Sequence, residues 1–186
     1  PIGGSTQLLP WLFILSFSAV SIFMLVKLLR DREKRIHLQD TSLVDLLTGV
    51  ANKRGMISQL NRSIAFARRH EKTPSILYVD LDSFTDYNQK HGRNVGDAIL
   101  VDVAENIAKC LRAEDYVGRW GADEFIVFLP DTPAAGAEVV ATRIIECVTD
   151  IGSNDKRISA SVGIATFDGE ETSEEFISRA EKASRQ

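Results

Sequence analysis

The sequence predicts one α/β (α+β) domain, with a central, mostly antiparallel sheet flanked by helices, preceded by an apolar helix and a charged connecting helix. Three observations carry that prediction. Downstream of residue 46, apolar residues switch between helical and strand periods in the order α-β-α-α-β-β-α-β-α. Two strand-like runs, YVGRW and FIVFL, are separated only by the turn residues Gly121 to Glu124, which makes a central antiparallel hairpin. All charged side chains lie at or beyond Lys27, so residues 1–26 carry none.

The elements follow in chain order. Residues 1–7 read as an upstream linker. Residues 8–26, LLPWLFILSFSAVSIFMLV, are polar only at Ser16, Ser18 and Ser21, which can hydrogen-bond to their own helix. Nineteen residues span about 28 Å as a helix, close to the hydrocarbon thickness of a bilayer, so this is a predicted transmembrane helix. Pro10 falls in the first turn, and Trp11 sits where an interfacial aromatic belongs. The run is apolar on every face, unlike most core helices, and lacks the basic leader and small-residue cleavage site of a signal peptide. The basic KLLRDREKR that follows predicts that this end faces the cytoplasm. Residues 27–46 predict a juxtamembrane helical stalk, with Leu29, Ile36 and Leu43 seven residues apart and Leu46 extending the face. The chain opens on Pro1 rather than Met, which reads as a fragment or a processed product.

Residues 45–186 form the predicted main domain. Helical spacing covers Met56 to His70, Val95 to Leu111, Pro133 to about Val148 and Thr172 to Ser184. Ser75 to Leu81 is a short apolar β-type run. Arg157 to Phe167 alternates as a strand, with Ile158, Ala160, Val162 and Ile164 on one face.

Composition narrows the function. The total charge is −4; residues 1–40 carry a net +2, which leaves −6 for the remaining 146. An acidic domain disfavours a broad nucleic-acid surface. Two cysteines, Cys110 and Cys147, make neither a disulfide framework nor a zinc pattern, and read as small core hydrophobes. His37, His70 and His91 are scattered, and Trp120 reads as packing.

The chemistry concentrates at two places. Asp80 and Asp82 end an apolar strand and point to the same side. Asp123 and Glu124 stand at the tip of the hairpin. If the two strands are neighbours, three or four carboxylates converge. Hard oxygen ligands of this kind suit Mg²⁺ or Mn²⁺, and a two-carboxylate magnesium site points to phosphoryl transfer from a nucleotide.

These residues resemble the GGDEF domain, the diguanylate cyclase family, from about residue 45 to the C-terminus. DLLTGVANKR, beginning at Asp45, resembles the opening D-x-L-T-x-x-x-N-R-R motif. Asp80, Asp82, Phe84, Asn88, Gly92, Gly96, Asp97 and Leu100 stand in register with the central D-x-D-x-F-K-x-x-N-…-G-D-x-x-L block. RWGADEF is similar to the hairpin R-Y-G-G-D-E-F, and SVGIA at 161–165 to the family's late strand.

The resemblance implies a palm-like domain of the nucleotidyl-cyclase fold that joins two GTP molecules into cyclic di-GMP and releases pyrophosphate. Asp80, the Leu81 carbonyl and Asp123 are then the metal ligands. Asp123 or Glu124 helps deprotonate the attacking hydroxyl. Asn88 and Asp97 read guanine, and Phe84 belongs to the same substrate site. Each domain holds one GTP, which implies a homodimer whose geometry the stalk would control. Arg112 and Asp115 resemble the R-x-x-D inhibitory site for cyclic di-GMP; the alternative is a helix-end salt bridge between the two. The implied setting is the inner (plasma) membrane, with the domain in the cytoplasm under an upstream sensor.

Three positions depart from the pattern. Ala122 replaces the second hairpin glycine, which would be strained if that position needed a positive φ. Thr85 stands where the family has a phosphate-binding lysine. The chain ends inside what resembles the final A-D-x-A-L-Y-x-A-K helix, before its lysine, so the domain is expected to be truncated at its C-terminal end. Two cationic phosphate contacts are thus missing. These departures leave a second reading, a degenerate domain that senses cyclic di-GMP or GTP without making product.

Overall fold

A computed structural model of the chain describes residues 42–151 and 157–186, with Met24 and Lys27 besides. Apart from those two positions, the linker over 1–7, the membrane span over 8–26 and the stalk as far as residue 41 lie outside the described residues. Among the described residues no helix is long and apolar enough to cross a membrane. The chain divides into two units, Pro1–Ser42 and Leu43–Gln186, and the architecture that follows is that of the second.

Its elements run α1 (Lys53–His70), β1 (Ser75–Leu81), α2 (Phe84–His91), α3 (Arg93–Lys109), β2 (Tyr116–Arg119), β3 (Glu124–Leu129), α4 (Ala134–Thr149), β4 (Ala160–Thr166) and α5 (Ser173–Ser184). This is the predicted order. The four strands form one sheet in the order β2-β3-β1-β4, and every neighbouring pair is antiparallel.

The sheet is covered on both faces, and alternation along β1 and β3 decides which side chain meets which layer. Leu77, Val79, Leu81, Phe125, Val127 and Leu129 pack with Ile99, Val103 and Ile107 of α3 and with Ala137, Ile144 and Val148 of α4. Ile76, Tyr78, Ile126 and Phe128 pack on the other face with Met56, Leu60 and Ile64 of α1 and with Phe176 and Ile177 of α5. Two-sided burial is why SILYVDL reads as one apolar run rather than as an alternating one. Each of these large side chains contributes about 1.5–3 kcal/mol by leaving water.

Local chemistry sets the helix boundaries. Asn52 caps α1 by accepting from the Gly55 N–H, so the helix begins three residues ahead of its first buried apolar side chain, Met56. Thr172 and Glu175 form a reciprocal capping box at the start of α5. The predicted order held two helices between the first two strands, but only α3 had bounds. α2 has eight residues and just two buried side chains, Phe84 and Tyr87, too few to show a period.

Two expectations are corrected. The stalk does not continue as a helix to Leu46. Val44 bridges Ala51, and Asp45 Oδ1 accepts from the Thr48 N–H at 2.9 Å and its hydroxyl at 2.6 Å, folding 45–48 into a turn. The side-chain acceptor offers the backbone an alternative to the helix, and Leu43 and Leu46 are exposed. The cysteines are only in part core fillers: Cys110 packs against the core without being sealed in it. Both are half-buried, and their sulfurs face each other across the ends of α3 and α4, 2.7 Å apart.

Candidate active site at the β1 end and the hairpin tip

Strand register builds the acidic centre. β1 and β3 are neighbours, and Asp80 lies directly opposite Glu124. The next rung is a hydrogen bond from the Leu81 N–H to the Asp123 carbonyl, 3.1 Å. The sheet therefore gathers Asp80, Leu81, Asp123 and Glu124.

The grouping carries an electrostatic cost. Burial, then the negative charges of Asp123, Glu124 and Asp82, raise the Asp80 carboxyl above its ordinary value, and Arg185 opposes them. Burial raises Asp123 as well, with Glu124 adding to the effect and Arg119 opposing it. Tyr78, buried beneath the acids, is pushed up by burial and by its hydrogen bond to Glu124. A cation near Asp80 and Asp123 would relieve this repulsion. Two carboxylates and a carbonyl are hard oxygen donors, so these residues fit a divalent ion of the magnesium kind. Among the described residues no three His, Cys, Asp or Glu side chains assemble as a metal group. Such an ion would draw its remaining ligands from water or substrate oxygens.

Asp82 is set apart from this group. The hydroxyls of Ser159 and Ser161 donate to its two carboxylate oxygens at 2.6 and 2.8 Å. Its N–H donates to the Ser159 carbonyl at 2.9 Å. Asp82 thus fastens the start of β4 to the end of β1.

A cleft of about 400 Å³ opens beside the acids, lined by residues 80–86 and Asp123. Its floor is the start of α2. Ser83 precedes that helix at φ 54°, and its side chain makes no capping hydrogen bond. The N–H groups of the first turn lack helical partners, so they present partial positive charge to an anion. Phe84 opens this turn, but its side chain is in the core, stacked with Tyr87 at 6.2 Å. Phe84 therefore lines the cleft through its backbone, its ring being buried. Thr85 lines the cleft and is exposed.

Asn88 stands one turn further along α2. Its Oδ1 is buried and has no hydrogen-bond partner. Gly96 of α3 makes room for it, because a β-carbon at residue 96 would overlap that oxygen. Asp97 follows Gly96 and is exposed. α2 and α3 therefore present an orphaned amide and a free carboxylate, donor and acceptor chemistry suited to the edge of a polar base.

At the hairpin tip the structure bears on the backbone half of one departure. Ala122 is not among the residues with positive φ, so its methyl group introduces no backbone strain. Its carbonyl accepts from Arg119 Nη2 at 2.7 Å. Arg112 and Asp115 form a tight turn, not a salt bridge. Asp115 Oδ2 accepts from the Arg112 backbone N–H at 2.9 Å, leaving the Arg112 guanidinium exposed.

Sequence reasoning missed Arg185, Tyr78 and the serine pair on Asp82. Nothing in the local pattern marks Arg185 or the serines, since each acts across the fold. Tyr78 was readable as the phenol in the apolar run two residues before Asp80.

Fold and site define an α+β domain with an open cleft beside a pair of strand-end carboxylates and an orphaned asparagine oxygen where two helices meet. Residues 42–186 match the model of the family "Diguanylate cyclase, GGDEF domain". The chain belongs to that family. It is 30% identical over 187 residues to the bifunctional diguanylate cyclase/cyclic di-GMP phosphodiesterase MucR of Pseudomonas aeruginosa, covering 91% of this chain and 27% of that protein. Over 168 residues it is 31% identical to the diguanylate cyclase DosC of Escherichia coli, covering 88% of this chain and 36% of that protein. It thus spans about a third or less of these curated relatives. Among solved structures, the diguanylate cyclase SiaD of Pseudomonas aeruginosa, crystallised with its activator SiaC, superposes with a TM-score of 0.73 at 28% identity. That match covers 97% of this chain and 70% of SiaD.

Proposed function

We propose that the domain is a diguanylate cyclase that condenses two GTP molecules into cyclic di-GMP, as a membrane-tethered homodimer in the inner membrane with this domain in the cytoplasm. The observation that carries the reading is the register placing Asp80 opposite Glu124, beside the Leu81–Asp123 rung, at the mouth of a cleft floored by the α2 N-terminus.

The triphosphate lies over the first turn of α2, whose N–H groups receive its oxygens. Guanine enters between α2 and α3, where the Asn88 amide donates to an acceptor on the base and Asp97 accepts from its N1–H and N2–H₂ edge. The 3′-oxygen of one GTP attacks the α-phosphorus of the other. The bond to the β-phosphate oxygen breaks and pyrophosphate leaves, while the hydroxyl proton passes to Asp123 or Glu124. Asp80, the Leu81 carbonyl and Asp123 would hold Mg²⁺ or Mn²⁺, which when bound offsets the negative charge of the reacting phosphate. Two such half-sites must meet, so the dimer geometry set by the stalk governs the rate. Cyclic di-GMP at Arg112 and Asp115 would hold the domains apart.

Thr85 favours a second reading, a sensor that binds GTP or cyclic di-GMP without turnover, because it puts no cation in the cleft. Incubating the full chain, as a dimer, with GTP and Mg²⁺ and assaying cyclic di-GMP decides between them. Product formation supports the cyclase; intact GTP binding without product leaves the sensor.

A further inference from the structure

Cys110 and Cys147 are the chain's only cysteines, 37 residues apart in sequence. Cys110 is the C-cap of α3, and Cys147 lies in the last turn of α4. The fold brings their sulfurs to 2.7 Å, and both residues are half-buried rather than sealed in the core. A sulfur–sulfur bond is about 2.0 Å long, so the two helix ends need close by well under about 1 Å to be joined. With no third thiol in the chain, neither sulfur has another intramolecular partner.

We propose that Cys110 and Cys147 are an oxidation site, a dithiol that a hydroperoxide converts to a disulfide tying the end of α3 to the end of α4. Either sulfur can attack first, and exchanging the two gives the same bond; with Cys147 first, Cys110 is the resolving thiol. Burial, then the hydrogen bond to Cys147 and its charge, push the Cys110 thiol up to about 11. The Cys147 thiolate attacks one peroxide oxygen, the O–O bond breaks, and an alcohol or water leaves, giving a sulfenic acid. The Cys110 sulfur then attacks the Cys147 sulfur. The S–O bond breaks and its oxygen departs as water with the Cys110 proton. Together the thiols give up two electrons and two protons, which the peroxide takes up. A dithiol reductant reverses the change by thiol–disulfide exchange.

The location gives the bond a consequence. Cys110 lies two residues before Arg112, whose backbone N–H is bound by Asp115. The disulfide therefore anchors the start of the Arg112–Asp115 turn to α4. Bond formation itself rests on the thiol geometry and does not depend on the cyclase reading.

The test treats the full chain with a small excess of hydrogen peroxide, blocks remaining thiols with iodoacetamide and digests with trypsin without reduction. The expected product is protein lighter by two hydrogens, with the peptide Cys110–Arg112 linked to Ile144–Lys156. Dithiothreitol should return both thiols, and Cys147→Ser should abolish the linked peptide. The oxidised protein should also melt at a higher temperature than the reduced one. Two thiols that remain alkylatable after peroxide, or sulfinic acid at either cysteine without a linked peptide, would overturn the proposal.

Discussion

Arg119 Nη1 stands 3.3 Å from Asp45 Oδ1, joining the last residue of β2 to the first turn of the domain. The same guanidinium donates through Nη2 to the Ala122 carbonyl, 2.7 Å away, beside Asp123. One side chain thus spans from the turn that follows the predicted stalk to the hairpin tip that carries the acids. Its planar fork reaches both acceptors at once, which a lysine cannot do. Arg119→Lys should keep the fold but lower turnover, and Arg119→Ala should also destabilise by about 1–3 kcal/mol by leaving a mostly buried carboxylate short of a partner. Urea midpoints measured beside steady-state rates would separate the two effects. Equal rates in the lysine variant and the parent would show that the span to Ala122 is dispensable.

The same pair sets a pH dependence. Burial raises Asp45, but the hydrogen bonds from Thr48 and the Arg119 charge outweigh it, so the net pKa is lowered. A carboxyl with a folded pKa below its unfolded value of about 3.9 adds stability above that value. That stability is lost as pH falls through the folded pKa. Asp45→Asn should therefore lie below the parent in stability at pH about 6, and the two should converge as pH falls through the lowered folded pKa. Unfolding free energies across that range give the answer, and parallel curves would contradict it.

Asp80 has the opposite sign. Its carboxyl is raised by burial and by three neighbouring acids, so its charged form weighs against the fold at neutral pH. Asp80→Asn should raise the melting temperature at pH 7 while abolishing cyclic di-GMP formation. Asp82→Asn should do the reverse in part, losing stability because Ser159 and Ser161 hold that carboxylate between β1 and β4. Calorimetry on the two variants tests the contrast, and a shared loss of stability would put Asp80 in a structural role.

The contrast also shows what the sequence could and could not reveal. Alternation placed Asp80 and Asp82 on one side, and the turn residues 121–124 placed Asp123 and Glu124 at a tip. Convergence then needed only adjacency of β1 and β3, which the register of Asp80 with Glu124 supplies. The serines that claim Asp82 were not legible, because they come from a strand some eighty residues away. α2 lacked bounds because eight residues with two buried side chains show no period. The stalk was read through to Leu46 from heptad spacing alone, and the Asp45–Thr48 side-chain bond, a local competitor of the helix, ended it. The thiol pair depends on how two helix ends pack, which no spacing rule encodes.

Gly96 offers a test of the guanine pocket that leaves the acids untouched. Alanine is the better helix former by up to about 1 kcal/mol, so Gly96→Ala would ordinarily stabilise α3. Here the added methyl would displace the Asn88 amide. GTP affinity should fall about 10- to 100-fold, as for a lost buried hydrogen bond, with α3 intact by circular dichroism. Unchanged affinity in isothermal titration would move guanine away from Asn88.

Thr85 is where the two functional readings part. It is exposed in the cleft beside the open first turn of α2, where an ammonium group could reach a phosphate oxygen. Arg185 already acts on Asp80 from the end of α5, so the site is not without positive charge. It pairs with Glu181 at 2.5 Å, however, which partly spends that charge locally. Thr85→Lys should tighten GTP binding about tenfold through one charge-assisted contact. The gain should shrink as salt rises, because an exposed contact is screened. Thr85→Gln adds length without charge and should show no such salt dependence. If lysine raises turnover together with affinity, the acids are competent and only phosphate binding is weak, which is the cyclase reading. If affinity rises and cyclic di-GMP still does not form, the defect lies at the acids or in domain pairing, and the sensor reading gains.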